Sequence, residues 1–112
     1  MSIEPGQINP ALPNPAAMEF LLTRRSRPAK TLTLPVPDRH QLGPILQAAA
    51  RTPDHGKLEP WRFIVLSRPA LERLAAQATE GAEAAGLAPD LVTKAGLQFS
   101  GSHLCVAVVS VP

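Results

Sequence analysis

Two apolar runs constrain this chain more than anything else in it. WRFIVLS, residues 61–67, and HLCVAVVSV, residues 103–111, are continuous, strand-length and rich in β-branched residues. Runs of this kind suit strands covered on both faces, so both are expected to be buried. Two strands alone make a poor sheet, because three or more are usually needed for independent stability. A strongly apolar strand next to the last residue also leaves an edge with no protection. The 112 residues therefore read as a chain that stops in the middle of a fold.

The segments around the strands have helical periodicity. AAMEFLLTRR, residues 16–25, sets Met18, Leu21 and Leu22 at helical spacing. Its arginines fall in the last turn, where cations suit the negative end of a helix. Asp38 is placed to cap a helix with Leu42, Ile45, Leu46 and Ala49 on one face. Pro44 conflicts with that helix: it either bends the helix at a cost of about 3 kcal/mol or begins it. TLTLPVP between them is a short edge piece or an extended loop. After the first strand, Ser67 is placed to cap a helix carrying Leu71, Leu74, Ala75 and Ala78 on one face, with Gly86 as its stop. A shorter helix is expected from Pro89 to about Leu97. Residues 1–15 hold Pro5, Pro10, Pro13 and Pro15 and are expected to be a disordered tail, leaving residues 16–112 as the folded part. Helices alternating with two apolar strands point to a sheet covered by helices.

Composition narrows the function classes. Apolar residues make up 45% and charged residues 18%, a globular balance. The net charge of +2 is too small to argue for nucleic acid, and no Tyr is present to stack on bases. The basic knot RRSR, residues 24–27, stands alone. No signal peptide or membrane-length apolar run is visible. The lone Cys105 excludes an internal disulfide and reads as a small buried thiol, so a cytoplasmic protein is expected. His40, His55 and His103 lie far apart without ligand spacing, so no metal site is expected. No catalytic nucleophile motif is present either.

Two places remain for chemistry. Arg24, Arg25 and Ser26 put two guanidiniums and a hydroxyl at a helix end. They can fork onto a phosphate or a carbonyl-rich ring, or simply satisfy the last carbonyls of their own helix. RTPDHGKLEPW, residues 51–61, holds two prolines, a glycine and an imidazole. It is either an elaborate turn or a binding loop: Gly56 would allow close backbone approach, His55 and Lys57 would donate, and Pro60-Trp61 would fix entry into the strand.

Taken together, the helix ending RRS, the Pro-containing segment, the helix ending AAARTPDHGKLEPW and the strand RFIVL resemble the nitroreductase family of FMN-dependent oxidoreductases. The resemblance is to the branch whose loop reads P-D-H followed after four residues by P-W. It implies an α+β fold, a three-layer α-β-α sandwich, present here as its N-terminal half. It also implies an intertwined homodimer with FMN at the subunit interface, NAD(P)H as electron donor, and a nitroaromatic, quinone or similar acceptor. Carried onto this sequence, it makes Arg24, Arg25, Ser26, Arg51 and His55 the FMN contacts and no residue a catalytic nucleophile. Guanidinium beside phosphate is a charge-assisted pair, and positive charge near the N1–C2=O edge of the ring favours the reduced flavin. Family members are nearly twice this long, with a Gly-rich segment that helps grip FMN. The expectation is therefore a shortened chain, weakly active or inactive alone. The alternative is a non-enzymatic interaction module that pairs through its strand edge, for example with a separately encoded C-terminal half.

Overall fold

The computed structural model describes residues 4, 6–52, 56 and 58–111. Among the described residues, helices and strands follow one another as α1 (Pro15–Thr23), α2 (Arg39–Ala49), β1 (Trp61–Leu66), α3 (Arg68–Ala84), α4 (Pro89–Ser100) and β2 (Cys105–Ser110), with a 3₁₀ turn at Ala29–Thr31. The α+β class holds. The sheet is a single antiparallel pair in which Trp61 faces Ser110 and Leu66 faces Cys105.

Local chemistry explains each element. Asn14 caps α1 by accepting from the Ala17 amide at 3.1 Å, and Pro15 sits comfortably in the first turn. The helix thus starts inside the segment expected to be a tail. Residues 4 and 6–14 hold no helix or strand. For α2, Asp38 and Gln41 form a reciprocal capping box, with bonds of 2.8 and 3.0 Å. The helix runs from Arg39 through Pro44 rather than starting there, so the His40 carbonyl loses its amide partner. TLTLPVP forms no strand and follows the 3₁₀ turn as extended loop.

The helical hairpin α3–α4 is the best-packed part of the molecule. Leu71 is fully buried and Ala82 nearly so; among the described residues they are the buried apolar side chains. Gly86 ends α3 as expected, at a φ of +74°. The amides of Gly86 and Leu87 bond back to the Glu83 and Ala82 carbonyls, a Schellman motif. Gly96 lets the helices close: a Cβ there would lie 2.6 Å from Thr79 Oγ1. Arg68 then ties the start of α3 to the end of α4. Its Nη1 donates to the Ser100 and Ser102 carbonyls, both at 2.6 Å, while Nε pairs with Glu72 at 3.2 Å. Ser67 occupies the cap position of α3, but its hydroxyl makes no cap bond. Pro69, two residues on, has removed one of the two amides such a hydroxyl could reach.

Both strands were expected to be buried, and neither is. Along β1 only Trp61, Phe63 and Leu66 are half-buried, and Val108 in the middle of β2 is 68% exposed. Cys105 is half-buried and free rather than enclosed. The cause is missing cover: α3 touches β1, while neither α1 nor α2 makes a sustained contact with another helix or strand. The radius of gyration is 18.2 Å, against about 13 Å for a compact chain of this length. The exposed surface is 9623 Å², where a compact monomer of 11.9 kDa exposes roughly 6,000 Å².

Candidate functional site

The stretch holding Arg24, Arg25 and Ser26 follows α1 directly. The helix ends at Thr23, one turn's fraction earlier than its arginines require, so no cation lies in its last turn. Thr23 Oγ1 bonds the Glu19 carbonyl at 2.7 Å, and Arg24 is already extended, with φ −73° and ψ 151°. It is the Arg24 backbone amide, not a guanidinium, that satisfies the Phe20 carbonyl. The guanidinium of Arg24 instead reaches Ser26 Oγ at 3.4 Å. Arg25 makes no side-chain hydrogen bond or ion pair among the described residues, and all three side chains are exposed. Their charge is therefore unspent within the described fold.

Arg51 follows the α2 cap residue Ala50, its amide bonded to the Ala48 carbonyl at 3.1 Å. Its guanidinium has no hydrogen-bond or ion-pair partner among the described residues. It borders a half-open cavity of about 360 Å³ formed with Pro44, Gln47 and Ala48 of α2 and with Gln7 and Asn9 of the segment before α1. Among the described residues no carboxylate lines it. His55 lies outside the described residues, as do Pro53, Asp54 and Lys57. Of the loop's frame, Gly56 has a φ of +71°, and the described neighbour of a Cβ there, Leu58 Cγ at 3.9 Å, is an ordinary contact, so backbone conformation calls for glycine. Pro60-Trp61 does fix entry into β1: the Trp61 amide bonds the Glu59 carbonyl at 2.8 Å, and the Pro60 carbonyl accepts from Val111 at 2.7 Å. Glu59 takes a left-handed φ of 47° to make this approach.

Of the five residues singled out from sequence, the four that are described fall in two places. Arg24 and Ser26 are brought together, whereas residues 24–26 do not line the cavity at Arg51. Gln7 and Asn9 were missed because a Pro-rich stretch carries no periodicity from which a contact with α2 can be read. A second groove, of about 390 Å³, runs between Leu42 and Ile45 of α2, residues 29–37, and residues 102–106 of β2 and its approach. Its lining is mostly apolar. Among the described residues no three His, Cys, Asp or Glu side chains gather as metal ligands. No helix of the described residues is long and apolar enough to cross a membrane.

Comparison with known proteins bears on residues that span both places. The sequence model of the nitroreductase family matches residues 21–101. The chain belongs to the nitroreductase family. The match takes in Arg24–Ser26, Arg51, β1 and the helical hairpin, and leaves out Gln7 and Asn9. A protein of Escherichia coli strain K12, provisionally named NAD(P)H nitroreductase YdjA, is 42% identical over 94 residues, covering 84% of this chain and 50% of that protein. The counterpart in Escherichia coli O157:H7 matches to the same extent. A Haemophilus influenzae protein, also provisionally named an NAD(P)H nitroreductase, is 48% identical over 58 residues, 52% of this chain and 30% of its own length. The chain spans about half the length of the Escherichia coli relatives.

Proposed function

We propose that this nitroreductase-family chain takes part in FMN-dependent, NAD(P)H-driven reduction of nitroaromatic, quinone or similar acceptors, in the cytoplasm and as a homodimer. Arg24, Arg25, Ser26, Arg51 and His55 contact the flavin. The observation that carries this reading is the Arg51 guanidinium, without a partner among the described residues, on a cavity whose described lining holds no carboxylate and inside the family-matched residues. Such a set fits an anionic cofactor, since the charged group among its described lining residues is a donor. FMN, when bound, supplies the hydride chemistry. The chain's own residues bind it, orient it through the planar guanidiniums, and place positive charge beside it.

The exposed surface supports the dimer. It exceeds that of a compact monomer by roughly 3,600 Å², while a standard interface takes about 800 Å² from each partner. Because the arginines are exposed and residues 24–26 do not line the cavity at Arg51, the 112-residue chain by itself binds FMN weakly and turns over little. A second reading rests on the open edges of the two-stranded sheet: a non-enzymatic module that pairs through a strand edge, for example with a separately encoded C-terminal half.

Purification followed by absorbance near 450 nm and an FMN titration tests the proposal. Little copurified flavin is expected, with saturable binding of added FMN that weakens at least tenfold in Arg24→Ala/Arg51→Ala. Equal FMN affinity in parent and variant would sink the site assignment. A stoichiometrically yellow, active dimer would sink the weak-binding part alone. Stable copurification with a strand-donating partner, without any flavin binding, would favour the second reading.

A further inference from the structure

We draw no further inference here: the strongest candidate, the mostly apolar groove between Leu42 and Ile45 of α2, residues 29–37 and the approach to β2 at residues 102–106, is an unpartnered face, and nothing in the structure shows what covers it.

Discussion

The second half of the molecule and the first differ in what holds them. From β1 onward the chain packs: α3 lies on α4, Arg68 closes the hairpin, and the two strands pair along six residues each. From α1 through α2 it does not. The nine-residue α1 exposes Met18, Phe20, Leu21 and Leu22, each by more than half. A helix so short is marginal in water unless its apolar face is covered. Yet the unpacked half carries Arg24, Arg25, Ser26 and Arg51. The residues with chemistry to offer thus stand on the part whose own stability needs another surface. Cofactor binding and the covering of α1 and α2 should therefore be linked, since whatever orders the arm also positions the arginines.

The largest test of this contrast is in the core. Leu71→Ala removes the fully buried side chain and should cost ~2–5 kcal/mol, read as a lower urea midpoint. Leu21→Ala, 62% exposed, should cost less than ~0.5 kcal/mol in the same chain. Comparable losses at the two positions would break the distinction between the halves. Next in size is Gly96→Ala. The Thr79 hydroxyl 2.6 Å from the added methyl should make it destabilising by ~1–3 kcal/mol, despite the better helix propensity of alanine. Thr79→Ala in the same chain should recover most of that loss, because the remaining neighbour, the Ala75 carbonyl at 3.5 Å, is in ordinary contact. A double mutant no better than Gly96→Ala would mean that the helices meet elsewhere.

The smallest effects compare two caps. Asp38→Ala removes a bonded capping box and should destabilise α2 by about 1 kcal/mol. Since α2 makes no sustained contact with another helix or strand, the loss should appear as faster amide exchange within Arg39–Ala49, with little change in the global midpoint. Ser67→Ala removes a hydroxyl with no cap bond and should stay within ~0.5 kcal/mol. Equal effects at the two caps would show that the hydroxyl of Ser67 is engaged after all.

Much of the local structure was legible in the residues. The capping box at Asp38, the stop at Gly86, both strands and the α3 face through Leu71 follow from neighbours a few positions apart. The misses have equally local or plainly distant causes. Asn14-Pro15 is a cap followed by a first-turn proline, a signal hidden by reading the Pro-rich stretch as one unit. Arg24 and Arg25 fall outside α1 because Thr23 turns its hydroxyl to the Glu19 carbonyl and the chain then extends. Nothing local predicted that the strands would lie half open, since burial depends on which elements come to cover them.

By itself the sequence determined where most helices and both strands form and that Asp38 caps and Gly86 stops the helices beside them. Capping, turn conformation and apolar periodicity act over three to five residues, so they survive in any environment. Only the tertiary structure decided that Arg68 joins α3 to residues 100 and 102, that Gly96 is a close contact with Thr79, and that Gln7 and Asn9 share a cavity with Arg51. Those contacts close loops of up to tens of residues, and their free energy depends on shape and on competing partners that no short window of sequence contains.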